Sequence, residues 1–219
     1  VNINHDRYLV KYNQCWVHTK ESSVSRVEKK IQTRQRILEA AGRSFRKSGF
    51  GGVGVDGLAK EAGVTSGAFY VHFESKSVAF REAVRQGMRE LKEGVLYFQS
   101  QHGEAWWPEF VKFYLGFKRT CDLSESCTLQ SLSPEVGRSD EASRAVFEEG
   151  LRNVAEVILT GPRSHEAPRD LDATLLALAS LIGAVTLGRA VGSGALSDQI
   201  AESTGRALLR GRWTPDIEG

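Results

Sequence analysis

Apolar residues recur at helical spacing along most of the chain, and no run alternates with the two-residue period of a strand. The pattern predicts a first helix over 27–48. Ile31, Ile37, Leu38, Ala41 and Phe45 face inward on it, Lys29, Lys30, Arg34, Arg36, Arg43 and Arg46 face outward, and Gly49 stops it. A long helix starts behind a Ser75 cap, runs through Phe80, Val84, Met88, Leu91 and Val95 toward Gln99, and breaks at His102-Gly103. Pro108 suits the first turn of the next helix, 107–121, which is rich in aromatics. A short helix over 127–136 follows. Ser139-Asp140 caps a longer one carrying Ala145, Val146, Leu151, Val154, Ile158 and Leu159, ended by Gly161-Pro162. After the polar loop GPRSHEAPRD, Asp170 opens a helix that is apolar nearly all round, with Leu171, Leu175, Leu176, Leu178, Leu181, Ile182, Val185 and Leu187. Gly192-Ser193-Gly194 ends it, and an amphipathic helix over 197–210 closes the pattern. The expected fold class is all-α.

The stretch VDGLAKEAGVTSGAFYVHF, 55–73, is the most specific part of the chain. Val55, Leu58, Ala59 and Ala62 give a short helix one apolar face, and Gly63 falls where a helix ends with a left-handed residue. Thr65 or Ser66 can cap a second helix, whose Ala68, Phe69 and Phe73 supply apolar contacts. Two helices joined by so short a turn form a helix-turn-helix, which places its second helix in the major groove of DNA. Ser66, Gly67 and Ala68 open that helix with side chains short enough to bring the backbone close to base edges, and Ala68 can pack on a thymine methyl. Tyr70 and His72 can donate to phosphate oxygens, and Lys76 sits at the start of the next helix, where an anion is favoured.

Thr33-Arg34, Ile37-Leu38, Ala40-Ala41, Phe45, Gly49-Phe50, Val55, Leu58-Ala59, Ala62-Gly63-Val64-Thr65, Gly67-Ala68-Phe69-Tyr70, His72-Phe73 and Lys76 together resemble the N-terminal domain of the TetR family of one-component repressors. The resemblance covers residues 33–76, about a fifth of the chain. It implies a three-helix DNA-binding domain followed by a larger helical ligand-binding and dimerisation domain. It also implies a dimer on a palindromic operator, released by a small effector. DNA contacts are then expected from Thr65, Ser66, Gly67, Ala68, Tyr70, His72 and Lys76, with the last three of these on phosphates. The expected division is an extension over 1–28, the DNA-binding domain over 29–74 and the body over 75–219. In place of the family's usual Thr and Ser or Thr before the first motif helix stand Val53 and Gly54, so that hydroxyl contact to phosphate is not carried over.

Charge supports this division. Residues 27–100 hold 13 Lys+Arg against 8 Asp+Glu, whereas 101–219 hold 12 against 17, so a net charge of +2 conceals a basic N-terminal part and an acidic remainder. The extension carries Arg7, Lys11, Lys20 and Arg26, and reads as an arm that can touch DNA, a loosely ordered lead-in, or upstream sequence translated from a misassigned start. Cys15, Cys121 and Cys127 make neither a disulfide ladder nor a CxxC pair, which suits the cytoplasm, and no long uninterrupted apolar run suggests a membrane span.

In the body, Trp107, Phe110, Phe113, Tyr114 and Phe117, with Cys121 and Phe147, are either packed core or the lining of a site for an apolar or aromatic small molecule. Cys121 and Cys127, six apart across a polar loop, offer a thiol sensor as the alternative trigger if Arg119 or a helix N-terminus lowers one thiol's pKa. The all-round apolar helix needs cover on every face. It is too short and too interrupted by Asp172, Thr174, Ser180 and Arg189 to span a bilayer, so a homodimer through Leu175, Leu178, Ile182, Val185 and Arg189 is expected. Gly52–Gly57 spells G-x-G-x-x-G, but a helix precedes and follows it, which excludes the βαβ setting of a dinucleotide site. His5, His18, His72, His102 and His165 are scattered, and neither H-E-x-x-H nor G-x-S-x-G occurs. No enzyme, metal or cofactor is expected.

Overall fold

The structure is a computed structural model that describes residues 25–210. The expected arm residues Arg7, Lys11 and Lys20, with the extension up to residue 24, lie outside the described residues. Among the described residues every regular element is a helix: α1 (Arg26–Ser48), α2 (Val55–Glu61), α3 (Ser66–His72), α4 (Lys76–His102), α5 (Trp106–Leu115), α6 (Phe117–Thr120), α7 (Thr128–Ser131), α8 (Ser133–Gly137), α9 (Glu141–Thr160), α10 (Leu171–Ala190) and α11 (Gly194–Leu208), with 3-10 turns at Gly103–Ala105 and Leu123–Glu125. The all-α expectation is met.

Among the described residues the chain divides into two compact units, 25–34 and 35–210. In the first, α1 opens with a capping box: the Ser25 N–H donates to Glu28 Oε2 at 2.7 Å and the Glu28 N–H to Ser25 Oγ at 3.2 Å. Val27 and Ile31 are exposed there, so Ile31 does not face inward as its spacing suggested.

In the second unit the inward positions of α1 are Ile37, Leu38, Ala40, Ala41 and Phe45. Phe45, Phe50 and Phe80 form an aromatic group, with the Phe45 and Phe80 rings edge to face at 5.2 Å. Arg46, placed outward by the sequence pattern, is half-buried and donates through Nε to the Ser124 carbonyl at 2.7 Å. The body is organised on α4, which packs along α9 and against α5 and α7, while α10 packs on α11, α5, α6 and α7. Glycines set the closeness of these seams. A Cβ on Gly87 of α4 would lie 1.9 Å from Thr128 Oγ1 of α7, and one on Gly150 of α9 would lie 2.6 Å from Met88 Cβ of α4.

Caps determine most helix starts. Ser75, Asp140, Asp170 and Ser193 accept from Val78, Ser143, Ala173 and Leu196, respectively. The Ser193 cap starts the last helix at Gly194, earlier than its apolar pattern indicated. Two expected helices are each split. The 107–121 helix breaks at Gly116, whose ψ of −87° departs from the helical value. The 127–136 helix breaks at Leu132 (φ −107°, ψ −7°), ahead of Pro134, which has no N–H to continue the ladder.

By length and composition α10 could cross a membrane, with a mean hydropathy of 1.8, which corrects the view that it is too short. One face, formed by Thr174, Ala177, Leu178, Leu181, Ala184, Val185 and Gly188, is instead buried in the body. Leu171, Leu175, Leu176, Ala179 and Leu187 are exposed, and Ile182 and Gly183 are half-buried.

Candidate nucleic-acid interface

The α2–turn–α3 unit is closed by backbone chemistry at Gly63, whose φ is +65°. The Gly63 N–H donates to the Lys60 carbonyl at 3.1 Å and the Val64 N–H to the Ala59 carbonyl at 2.9 Å, the paired bonds of a Schellman motif. Thr65 then caps α3, its Oγ1 accepting from the Ala68 N–H at 3.1 Å. Ser66 Oγ donates to Asp56 Oδ1 and ties the first turn of α3 to the first turn of α2. Leu58, Ala59, Ala62, Phe69 and Phe73 are buried, and α2 and α3 pack on each other. Gly54 is the N-cap of α2 and gives no side-chain hydrogen bond, as the missing hydroxyls at positions 53 and 54 implied.

With α3 fixed in this way, Gly67, Tyr70 and Val71 present its solvent face, with Ser66 and Ala68 half-buried at its edges. Tyr70 is 56% exposed and Val71 67% exposed. His72 is half-buried on the side toward the body of the unit. Lys76, in the first turn of α4, holds its Nζ 4.3 Å from the centre of the Phe50 ring, a cation–π contact on the edge of the motif. Val71 did not stand out from the sequence, because the apolar period counts Phe69 and Phe73 as the buried positions and leaves Val71 without a role.

The candidate effector residues separate by burial. Trp107, Phe110 and Tyr114 are fully buried and close-packed, with ring centres 5.9 Å apart between Trp107 and Phe110 and 5.8 Å between Phe110 and Tyr114. Phe113 and Phe117 stack at 5.4 Å and are half-buried, as are Cys121 and Phe147. The Trp107 indole N–H and the Tyr114 and Thr128 hydroxyls are buried without a hydrogen-bond partner. Burial, and then the neighbouring Cys127 thiol, push the Tyr114 phenol well above its usual range, although the pair lacks ordinary hydrogen-bond geometry. A surface hollow of about 340 Å³ is lined by His165, Glu166, Arg169 and Arg210, none of them an anticipated residue.

Arg119, expected beside a cysteine, is instead committed to α11. It donates to Ser197 Oγ at 2.6 Å and to Asp198 Oδ1 at 2.7 Å, passing beneath Gly188. Arg189 is the guanidinium against Cys121, with Nη2 3.2 Å from Sγ and donating to the Lys118 and Cys121 carbonyls. Of the anticipated dimer residues, Leu175 is exposed and Ile182 half-buried, but Leu178 and Val185 are buried within the chain and have no surface to offer a second copy. The all-round apolar pattern of α10 could not tell these faces apart.

The family profile of bacterial regulatory proteins of the tetR family matches residues 37–90. The HTH-type transcriptional regulator AcrR of Shigella flexneri is 39% identical over 70 residues, covering 32% of this chain and 33% of that protein. The HTH-type transcriptional repressor DhaR of Mycobacterium sp. (strain GP1) is 24% identical over 159 residues, covering 69% of this chain and 80% of its own length. The chain spans no more than 36% of the length of the relatives that it matches at 35% identity or better. In three dimensions the reduced form of Escherichia coli NemR superposes with a TM-score of 0.67 at 19% identity, covering 84% of this chain and all of the other, a likeness of fold.

Proposed function

We propose that the chain, through its helix-turn-helix unit, belongs to the TetR family of bacterial regulatory proteins, and that the whole chain is a dimeric transcriptional repressor released from its operator by a small effector. The observation that carries the reading is the α2–turn–α3 unit, with its Schellman turn at Gly63, the Thr65 cap and an open α3 face. In this reading 29–74 is the DNA-binding domain, 75–219 is the body, and the protein works in the cytoplasm beside the DNA that it reads. Thr65, Ser66, Gly67 and Ala68 bring the helix to the groove, and Tyr70, His72 and Lys76 bind phosphates. That DhaR is a transcriptional repressor supports the direction of control.

The second copy docks on the exposed apolar face of α10, at Leu175 and Ile182 with Leu171, Leu176, Ala179, Gly183 and Leu187. A face of this composition left in water favours association. The effector enters beside Trp107, Phe110, Tyr114 and Thr128. Supporting this are the buried, unpartnered polar atoms of Trp107, Tyr114 and Thr128, each of which costs about 1–3 kcal/mol until something completes it. A ligand there presses on α4, the helix that carries Lys76, and alters the spacing of the two α3 helices.

Selection from a pool of random DNA duplexes with the purified chain tests this reading. Enriched sequences with two-fold symmetry, and affinity that falls steeply with salt, are expected. A chain that enriches no sequence overturns it.

A further inference from the structure

The α3 face is unusual in what it lacks. Between Val55 and Phe73 the single Lys, Arg, Asn or Gln is Lys60, on α2. No side chain of α3 can therefore make the two-point hydrogen bond to guanine O6/N7 or adenine N6/N7 that sets sequence in most major-groove readers. The short polar groups are also tied locally, Thr65 Oγ1 accepting from the Ala68 N–H and Ser66 Oγ donating to Asp56 Oδ1, which fixes their direction on the capped helix. What α3 presents instead is a bare backbone at Gly67 and, one turn on at the i+4 position, the two γ-methyls of Val71, 67% exposed. A Cβ at Gly67 would come no nearer to any atom than 3.9 Å, to Thr65 Oγ1, so nothing stands over the helix at that turn. A β-branched apolar side chain held open on a rigid, capped helix contributes nothing to the core.

We infer that Val71 is a base-reading residue whose γ-methyls pack on thymine C5-methyl groups in the major groove, Gly67 letting the helix backbone settle close enough for the contact. This rests on the DNA-binding reading above. Each half-site is then specified by thymine methyls at the α3 position, and not by a guanine or adenine held at two points.

The test uses duplexes enriched from the random pool by the parent protein, with each thymine replaced in turn by deoxyuridine. That change removes one methyl and leaves every hydrogen-bonding group in place. Fluorescence anisotropy at fixed salt is expected to show about a fourfold weaker Kd for each contacted thymine, the factor equivalent to one buried methyl-sized group. Val71→Ala, checked for helicity by circular dichroism, is expected to lose the thymine-to-uracil difference at the positions that Val71 contacts, whatever Ala68 retains at its own. Enriched duplexes indifferent to every thymine-to-uracil change would overturn the inference while leaving DNA binding intact. A Val71→Ala protein that keeps the parent's thymine-to-uracil ratio would equally remove Val71 as the reader. Failure to enrich any duplex would overturn the DNA-binding reading itself, and this inference with it.

Discussion

Replacing Gly87 by Ala tests the closest seam in the body. The new methyl would sit 1.9 Å from Thr128 Oγ1, 2.5 Å from its Cβ and 2.9 Å from its Cγ2. Rotating Thr128 about χ1 moves Oγ1 and Cγ2 but not Cβ, and van der Waals contact between carbons needs about 3.5–4.0 Å. The clash can therefore be relieved only if α4 and α7 separate by about 1 Å or more. Overpacking of this kind costs about 1–3 kcal/mol, and a clash involving three atoms belongs near the upper end. The better helix propensity of Ala returns about 1 kcal/mol. The expected net loss is about 2 kcal/mol, a fall in Tm of about 4–8 °C for a chain of this size, measured by thermal unfolding followed at 222 nm. Thr128→Ala in the Gly87→Ala background removes two of the three close atoms and should recover part of the loss. A Gly87→Ala protein that melts at or above the parent's temperature would refute the argument, because propensity would then outweigh a clash that the seam should not tolerate.

Three further outcomes are expected. Lys76→Ala should lower the slope of log K against log salt by about one unit per protomer while weakening binding to all sequences alike; an unchanged slope removes Lys76 from the phosphate contacts. Leu176→Glu, on the open face of α10, should leave the chain folded but monomeric in sedimentation, whereas Val185→Glu buries an unpaired charge and should unfold it; a Leu176→Glu dimer of parental affinity would place the interface elsewhere. Hydrogen bonds from Ser124 and Ser143 hold the Asp122 and Asp140 carboxyls below their usual range, so this stabilisation is complete above about pH 4 and is lost as pH falls through the folded values. An Asp122→Asn/Asp140→Asn double variant should therefore lose stability less steeply in acid than the parent, and parallel acid-unfolding curves would count against it.

The DNA-reading unit was legible in the sequence because its determinants are local. A glycine at residue 63, a hydroxyl at 65 and an apolar period of three and four specify a helix, a left-handed stop and a cap, whatever lies around them. The body was less legible because its determinants lie across space. Gly116 and Pro134 were visible in the sequence, but how far each would bend a helix depended on packing. The uniform apolar period of α10 hid its division into a buried face at Leu178 and Val185 and an open face at Leu175 and Leu176. Arg189 took the place beside Cys121 that was expected of Arg119, because nothing in their spacing says which guanidinium reaches α11 and which reaches Cys121. Val71 escaped notice for a different reason. Periodicity registers residues that a fold needs, and Val71 faces away from everything the fold needs.

The contact of Lys76 with Phe50 has an entropic consequence. A lysine side chain carries on the order of 2 kcal/mol of rotamer freedom, which an ion pair in water must take away before any attraction is gained. With Nζ held 4.3 Å from the Phe50 ring centre, part of that freedom is already gone in the unbound protein, given up to a ring that does not neutralise the charge. Lys29 and Lys30 stand exposed, and among the described residues no ring lies beneath them to take any of it. An anion arriving at Lys76 would therefore find less ordering left to do there, at a fixed post beside α3.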